Sequence, residues 1–274
     1  MKESLEWLTP LYGDLDIQYQ QEYSGPYKSL CYQDDDCIVI AAEKDKKITG
    51  FGRPVVMVGT DKALRKQIER LYDISEDIWL MDFLENNRLS TASKFLMQDG
   101  LIAEPYFTQV IDLRKTEEQL HSQIRKSYKS LCNKSEVEFS VVEVLKNIHK
   151  EMHGKETRNS ETWKLQDKMV SSGNAFVLGD KAETAAALFY YNKHSAYYAC
   201  SASRDEGKTH PIIWQAIKIL KEKGCKTLEL GEQHYFGHEK NVNISRFKSG
   251  FGGASYSRLI IKQNKWKETE DEQL

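Results

Sequence analysis

A glycine-rich segment near the carboxyl end, residues 241–253, restricts the possible folds of this chain more than any other part of the sequence. It reads Asn-Val-Asn-Ile-Ser-Arg-Phe-Lys-Ser-Gly-Phe-Gly-Gly. Asn243 can cap a short helix, and Gly250 can end that helix in the left-handed conformation. Gly252 and Gly253 extend a backbone that can bend sharply or admit a ligand at close range. The segment therefore predicts a short helix followed by a tight turn.

Lys248 occupies an unusual place on this predicted helix. Ile244, Phe247 and Phe251 recur at three- and four-residue spacing, so they share one face, and Lys248 falls within the same apolar stripe. A lysine drawn toward an apolar face either extends its amine into solvent or meets an anionic or electron-rich partner. Spacing alone leaves both interpretations open.

The pattern Phe-Lys-x-Gly-Phe-Gly at residues 247–252 resembles the FemABX group of peptidoglycan-bridge aminoacyltransferases and their acyltransferase relatives. The resemblance extends over roughly the last 150 residues. It implies an α/β fold made of two tandem GNAT-like (N-acetyltransferase-like) domains with mixed sheets flanked by helices. The expected division is residues 1–135, residues 136–266 with the motif, and an acidic tail at 267–274.

The order of predicted elements agrees with this division. In the first half, a hairpin around the charged turn 43–47 precedes alternating helices and strands, as in a small α/β domain. The second half repeats that plan after a predicted helix at 116–132, which Thr116 and Gln119 open with a capping box. A buried strand at 227–230 leads into the glycine-rich segment.

Composition limits the partners and the location. The net charge of −2 gives no general attraction to DNA or to an anionic surface, and no apolar run approaches the length of a membrane span. Five cysteines form no Cys-x-x-Cys pair, so reduced thiols without a zinc site are expected. With no signal peptide recognisable at the start, the expected location is cytoplasmic.

Basic residues in two places are candidates for binding the acceptor. The segment from His153 to Arg158, which includes Lys155, brings cationic or titratable side chains together between two predicted helices, and this suits an anionic ligand as well as a solvated loop. In the related aminoacyltransferases an arginine followed by aromatic residues binds the acceptor's phosphates. Arg158 with Trp163 resembles that arrangement but lacks the tyrosine four residues on. Arg125 lies on a basic helix that resembles the family's interdomain helix, or on a merely solvated face.

A loop before the helix predicted at 210–223 is the candidate donor site. Arg204-x-x-Gly207-x-Thr209 resembles the pyrophosphate loop of GNAT proteins, although its last position departs from that pattern. Backbone N–H groups at a helix start suit a phosphate. The resemblance implies acetyl-CoA or another acyl-CoA as a cosubstrate, with no covalently bound cofactor. A plain connecting loop is the alternative.

Catalytic candidates follow the strand at 227–230, where open α/β sheets bind ligands. Glu232, ahead of His234, is predicted to accept the proton of the attacking amine, and Tyr235 to protonate the leaving group. Lys248 is predicted to stabilise charge near the reacting carbonyl. His234 and Phe247 are predicted to contact the substrate.

Together these features predict an N-acyltransferase that moves an acyl group from acyl-CoA to the amine of an amino sugar or of a nucleotide- or lipid-linked cell-envelope precursor. The alternative is a FemABX-type enzyme that uses aminoacyl-tRNA; a slightly acidic chain disfavours it, because phosphate neutralisation by basic residues drives tRNA binding. The third alternative is a GNAT-like binding module without catalysis.

Overall fold

The computed structural model describes residues 28–30, 32–33, 35–44, 47–49, 55–75, 77–82, 89, 91–156, 158, 160–193 and 195–263. Its strands are β1 Lys28–Ser29, β2 Tyr32–Gln33, β3 Cys37–Ile40, β4 Ala42–Lys44, β5 Lys47–Thr49, β6 Val55–Gly59, β7 Asp77–Ile78, β8 Leu80–Asp82, β9 Ile102–Asp112, β10 Val137–Ser140, β11 Ala175–Asp180, β12 Ala185–Tyr191, β13 Ser195–Ser203, β14 Thr227–Glu232 and β15 Ala254–Lys262. Its helices are α1 Asp61–Tyr72, α2 Thr91–Gln98, α3 Glu117–Gln123, α4 Lys126–Lys129, α5 Val142–His153, α6 Ser160–Ser171, α7 Thr209–Glu222 and α8 Glu239–Ser249.

Residue contacts divide the described chain into two compact units. The first runs up to Tyr106 and resumes at Ser257, and the second is Phe107–Tyr256. The division predicted after residue 135 falls inside the second unit. The structure differs because α3 and the strand before it contribute Leu120 and Ile111 to the core of that unit. The predicted tail, 267–274, lies outside the described residues.

The first unit packs α1 against short strands and α2 against α1. β3 pairs antiparallel with β6, β6 pairs parallel with β8, and β8 pairs antiparallel with β15. Thr60 caps α1 by accepting from the Ala63 N–H at 3.4 Å, and the apolar period of this helix buries Leu64, Ile68 and Leu71. The hairpin predicted around residues 43–47 is confirmed as the β4–β5 pair.

The second unit is built on strands ordered β10-β11-β12-β13-β14-β9, of which only β13 and β14 are parallel. Helix α7 makes the crossover between these two and buries an almost continuous apolar face. Pairing between them runs from Ser195↔Thr227 to Tyr197↔Glu229, although β13 continues to Ser203. Their carboxyl ends therefore diverge, and such an opening is where α/β sheets accommodate ligands.

The helix predicted over residues 116–132 is wrong in one respect, because it is interrupted. The capping box of Thr116 and Gln119 is present, but Ile124 and Arg125 are extended, with ψ of 135° at both, and α4 follows as a separate turn. The Arg125 N–H donates to the Gly250 carbonyl at 2.8 Å. A hydrogen bond to a distant part of the chain thus replaces one within the helix.

The helix of the glycine-rich segment also begins and ends differently from the prediction. α8 starts at Glu239, and His238 caps it by accepting from the Lys240 N–H at 3.3 Å, so Asn243 lies inside the helix. Gly250 has φ of −64°, which is ordinary helical backbone. The left-handed residues are Gly252 and Gly253, with φ of 85° and 80°.

Candidate active site at the carboxyl end of the parallel strand pair

The Lys248 amine is directed at the carboxyl end of β14. Its Nζ donates to the Glu232 carbonyl at 3.1 Å. A Cβ built on Gly231 would lie 3.4 Å from that Nζ and 3.2 Å from the hydroxyl oxygen of Tyr197 on β13. The missing side chain at Gly231 therefore lets an ammonium and a phenol approach the backbone closely. Lys248 is half-buried as a residue, and its amine has an electron-rich partner, the Glu232 carbonyl, which is one of the two interpretations left open by spacing.

The apolar stripe of α8 changes in burial along the helix. Phe251 is 2% exposed and Phe247 is half-buried, whereas Ile244 is 42% exposed. Lys248 lies on the same face as Ile244 and Phe251 because residues three and four apart are neighbours. The end of the stripe near Lys248 belongs to the core, and its beginning does not.

The glycines of the motif accommodate this chain's own residues. A Cβ on Gly250 would lie 2.8 Å from Cδ2 and Cζ of the Tyr128 ring, and one on Gly252 would lie 2.8 Å from the Gln123 Cβ. A Cβ on Gly253 would meet the Val110 carbonyl. The sequence predicts that these glycines either bend the backbone or let a ligand approach it closely. In the structure, the atoms that approach them closely belong to this chain.

A group of rings supports the end of α8. Tyr128 packs edge-on against His210 with centroids 4.2 Å apart, and both contact Phe247 and Phe251. Burial lowers the pKa of His210, whose Nδ1 lies 3.1 Å from the Gly207 carbonyl. The ring is thus neutral near pH 7, and a carbonyl can only accept, so Nδ1 carries the proton and donates. This neutral aromatic group fixes Phe247, the residue before Lys248.

The other predicted catalytic residues lie at the end of β14 and just after it. The Glu232 carboxylate is exposed and lies 3.3 Å from His234 Nε2. The His234 backbone N–H donates to Ser245 Oγ at 2.7 Å. The Tyr235 hydroxyl shares a hydrogen bond with Ser255 Oγ, and its ring packs edge-on against Phe107. Folding thus brings the Glu232 segment and Lys248 together through the Glu232 backbone.

Arg158 and Trp163 are brought together, as their predicted shared role requires. The Arg158 guanidinium lies over the Trp163 ring at 4.9 Å, and its Nη1 donates to Cys200 Sγ at 3.2 Å. His149 packs edge-on against the same tryptophan. Burial and the positive charge of Arg158 lower the pKa of His149 to about 4. Near neutral pH the positive charge here belongs to Arg158.

The remaining basic candidates are not part of that contact. Lys155 is exposed after the end of α5. Arg125 donates through Nη2 to the Arg246 carbonyl at 2.9 Å and through Nη1 to the Tyr128 hydroxyl at 3.2 Å, so it lies at the end of α8. The Ser249 hydroxyl donates to the same Arg246 carbonyl at 3.1 Å, so Arg125 adds a second donor near the end of the helix. Binding of acceptor phosphates by these residues stays a prediction.

The predicted donor loop lies before a helix, as a phosphate site would, but its arginine contacts other residues of the chain. Arg204 makes an ion pair with Glu151 at 2.6 Å and donates to the Glu183 carbonyl at 2.6 Å. Gly207 is left-handed, with φ of 82°, and Leu131 lies 3.5 Å from where its Cβ would be. Thr209 is the first residue of α7, so the loop does precede a helix N-terminus at the end of β13. The Arg204 guanidinium is directed at its own chain.

Sequence reasoning missed Tyr197 and Tyr128. In the sequence, Tyr197 is an aromatic residue in an ordinary strand pattern, and only the pairing of β13 with β14 brings it to Gly231. Tyr128 is identifiable as a core-facing residue of the predicted helix, but its contact with Gly250 is not.

Among the described residues, no group of three or more His, Cys, Asp and Glu side chains is arranged to hold a metal ion.

No protein-family model and no curated protein matches this chain. Among solved structures, FemX superimposes with a TM-score of 0.64 at 12% identity, covering 92% of this chain and 96% of that one. L-PGS from Bacillus licheniformis has a TM-score of 0.60 at 10% identity, covering 91% and 86%. The C-terminal domain of a putative lysylphosphatidylglycerol synthetase from Agrobacterium fabrum has a TM-score of 0.56 at 12% identity, covering 98% and 94%.

At these identities the likeness concerns the fold. The α/β fold implied by the motif at residues 247–252, that of FemABX-like proteins, is confirmed. The tandem arrangement of two GNAT-like domains stays a prediction.

No helix in the described part of the chain is long and apolar enough to cross a membrane.

Proposed function

We propose that this chain is an acyltransferase of cell-envelope biosynthesis that acylates the amine of an amino sugar or of a nucleotide- or lipid-linked precursor, with acyl-CoA as donor. One observation carries the proposal: the Lys248 ammonium is held beside Tyr197 over Gly231, where β13 and β14 diverge. Fold likeness to FemX and to a domain of a protein named as a putative lysylphosphatidylglycerol synthetase supports the assignment to acyl or aminoacyl transfer.

Lys248 supplies the positive charge that the reaction needs. When an amine attacks a carbonyl, negative charge develops on the carbonyl oxygen, and a donor already in position stabilises it without reorganisation. An ammonium has three N–H donors, and the bond to the Glu232 carbonyl orients the group. The ring group at the end of α8 holds the helix that carries it.

Proton transfer is assigned to residues at the end of β14 and just after it. The attacking amine must lose a proton, and the exposed Glu232 carboxylate beside His234 is the proposed acceptor. The Tyr235 hydroxyl, hydrogen-bonded to Ser255, is the proposed donor to the leaving group. Both residues lie on the same short segment as the carbonyl that holds Lys248.

The acceptor's phosphates are assigned to the Arg158 side. A guanidinium stacked on an indole is pre-oriented and offers a planar fork that matches phosphate geometry. Lys155 and Arg125 are proposed as supporting charges. His234 and Phe247 complete the proposed substrate contacts near Lys248.

A specific observation favours aminoacyl-tRNA as a second candidate donor. Binding of a coenzyme by residues 204–209 requires that the loop be accessible. Arg204 is instead held by the Glu151 carboxylate and the Glu183 carbonyl. Leu131 also lies against Gly207. The name of one structural neighbour, a putative lysylphosphatidylglycerol synthetase, also specifies a lysyl lipid as product. Acyl-CoA remains the first candidate because of the chain's slight net negative charge.

The test is acyl transfer by the full chain and by Lys248→Met. With acetyl-CoA and a UDP-linked amino sugar bearing a free amine, thiol release from the donor measures turnover. Lys248→Met keeps most of the stem and removes the charge, so turnover should fall by about a hundredfold or more, as on loss of one oxyanion donor. The CoA-dependent rise in melting temperature should change far less, because the contact matters most in the transition state.

Lys226→Met, an exposed lysine outside the site, is the matched control and should keep full activity. A folded Lys248→Met protein that works at the wild-type rate would remove Lys248 from the mechanism. If the wild type releases no thiol and is not stabilised by CoA, but binds charged tRNA tightly at physiological salt, the donor is aminoacyl-tRNA.

A further inference from the structure

A buried carboxylate lies on β14, two residues before Gly231. Glu229 is 7% exposed, and its Oε1 accepts a hydrogen bond from the Thr108 hydroxyl at 2.6 Å. Burying a carboxylate costs free energy, because the charged group loses its hydration. Such a residue is retained either for the fold or for the site beside it.

The other buried carboxylate among the described residues has a structural explanation. Asp180, at the end of β11, accepts from the backbone N–H groups of Thr184 and Ala185 and from the Thr184 hydroxyl, each at 2.7 Å. It therefore holds the turn between β11 and β12. The bond between Thr108 and Glu229 joins two side chains, and the backbone pairing of β9 with β14 does not depend on it.

Glu229 projects from the same face of the sheet as Tyr197. Leu228 and Leu230 belong to the core that α7 packs against, so Glu229, between them, projects from the opposite face. Tyr197 is the register partner of Glu229 on β13, and Ala196 before it belongs to the same core. The Glu229 carboxylate therefore shares its face with the phenol that approaches the end of β14.

The hydrogen bond to Thr108 directs this carboxylate toward the carboxyl end of β14. In the β9–β14 register Glu229 lies opposite Val110, and Thr108 lies opposite Glu232. Thr108 is thus a diagonal neighbour of Glu229, at a distance that a long side chain can span. At that end of the strand the Lys248 amine donates to the Glu232 carbonyl at 3.1 Å. The carboxylate and the ammonium therefore converge on the same end of β14.

We propose that Glu229 is a positioning residue whose buried negative charge keeps the Lys248 amine protonated and directed at the end of β14. The proposal rests on the proposed function, in which this ammonium stabilises the charge of the reacting carbonyl. Half-burial of Lys248 disfavours its charged form, and a nearby carboxylate offsets that loss. Two strand residues span about 7 Å, and at that range a carboxylate still attracts an ammonium inside a protein.

Other titratable or charged groups near Lys248 are less suited to this role. The Tyr197 phenol, from β13, is a neutral donor in its ordinary state. The Glu232 carboxylate is exposed and lies 3.3 Å from His234 Nε2. The Arg246 guanidinium, on α8 itself, is exposed and positive. Water screens an exposed carboxylate, so the buried Glu229 charge acts on the amine more strongly.

The experiment is labelling of the full-length chain with acetic anhydride over a range of pH, followed by mass spectrometry of the peptide that contains Lys248. Only the uncharged amine reacts, so the labelling rate reports the fraction of Lys248 that has lost its proton. Glu229→Gln keeps an acceptor for the Thr108 hydroxyl and removes the charge. At neutral pH this variant should be labelled about tenfold faster at Lys248 than the wild type. At strongly alkaline pH, where the amine is uncharged in both proteins, the two rates should be equal.

The comparison at alkaline pH separates an effect of charge from an effect of packing. A merely structural role would loosen the site and raise the labelling rate at every pH. The double variant Thr108→Val/Glu229→Met is a second test, because replacing both partners of a buried hydrogen bond by apolar groups of similar size can be nearly neutral for stability. It should show the same acceleration at neutral pH and the same equality at alkaline pH.

Asp180→Asn is the matched control. It also removes a buried carboxylate that accepts from a threonine hydroxyl, but at the end of β11, which pairs with β10 and β12. Labelling of Lys248 should not change in this variant. The exposed Lys226 serves as the internal reference for the labelling rate in every protein.

Faster labelling of Lys248 at neutral pH in both Glu229 variants, with equal rates at alkaline pH and no change in Asp180→Asn, would support the proposal. Unchanged labelling in Glu229→Gln would overturn it, and so would an acceleration that persists at alkaline pH. None of these measurements uses turnover, so failure here and failure of the proposed acyl transfer are distinguishable.

Discussion

Replacing Gly250 by alanine tests whether the motif glycines are required by contacts within the chain. Gly250 has φ of −64°, so alanine adopts its backbone conformation without strain. The obstacle is the Tyr128 ring, whose Cδ2 and Cζ would lie 2.8 Å from the new Cβ. That ring cannot simply withdraw, because it packs against His210 and Phe251, and Arg125 donates to its hydroxyl.

The expected cost follows from two opposing effects. Forcing an additional methyl group into a packed site costs about 1–3 kcal/mol. Alanine also reduces the freedom of the unfolded chain, which stabilises the protein by about 0.4–1 kcal/mol. Gly250→Ala should therefore destabilise the protein by about 2 kcal/mol or less, lowering the Tm by about 4–8 °C.

Removing the Tyr128 ring should reverse the sign of the stability change that Gly250→Ala causes. In a Tyr128→Ala background the space next to Gly250 is open, so the same substitution should be neutral or stabilise by about 0.5 kcal/mol. The measurement is a double-mutant cycle by thermal unfolding, and the expected coupling energy is about 2 kcal/mol. Tyr128→Ala alone will be less stable than wild type, and it is the reference for the second comparison.

Gly253→Ala is the matched control. Its φ of 80° and its contact with the Val110 backbone carbonyl do not involve Tyr128. It should be destabilising to the same extent in both backgrounds. If Gly250→Ala costs the same with and without the Tyr128 ring, or costs nothing in the wild type, the ring contact does not explain the glycine.

Two further predictions concern the acceptor side. Burial and the charge of Arg158 lower the pKa of His149 to about 4, against 6.5 in the unfolded chain, so the unfolded state binds more protons between those values. The free energy of unfolding should therefore be highest above pH 6.5 and fall by up to about 3 kcal/mol as the pH drops toward 4. His149→Gln should flatten this pH dependence. An unchanged profile in the variant would show that His149 is not the group responsible. Arg158→Lys keeps the charge but loses the planar fork, so the KM for a phosphorylated acceptor should rise while the CoA-induced thermal shift stays the same; an equal effect on both ligands would place Arg158 in a structural role or on the donor side.

Elements whose signals are local could be predicted from the sequence. α1 follows from its apolar period and from the Thr60 cap directly before it. The same reasoning predicts one helix over 116–132, because Leu120, Ile124 and Tyr128 keep a helical period. The structure interrupts that helix at Arg125, where a carbonyl 125 positions further along the chain accepts the backbone N–H. A partner so distant leaves no trace in a local pattern.

The residues of the candidate site also differ in whether a local sequence signal identifies them. Lys248 could be identified because a lysine within an apolar stripe conflicts with its surroundings, and such conflicts concentrate at functional sites. Tyr197 could not, because an aromatic residue in a strand conflicts with nothing. Its place next to the Lys248 amine depends on the β13–β14 pairing and on the absence of a side chain at Gly231.

The motif itself therefore separates into a part required by the fold and a part that points to chemistry. Gly250, Gly252 and Gly253 each face this chain's own atoms, so packing alone accounts for them. Packing does not account for the charge of Lys248, since a methionine would fill the same half-buried stem position without an ammonium to desolvate. A group that packing does not need, held close to the Gly231 backbone at the end of a parallel strand pair, is best explained by charge that appears there during reaction. For this reason Lys248→Met, rather than any glycine substitution, distinguishes an enzyme from a binding module of the same fold.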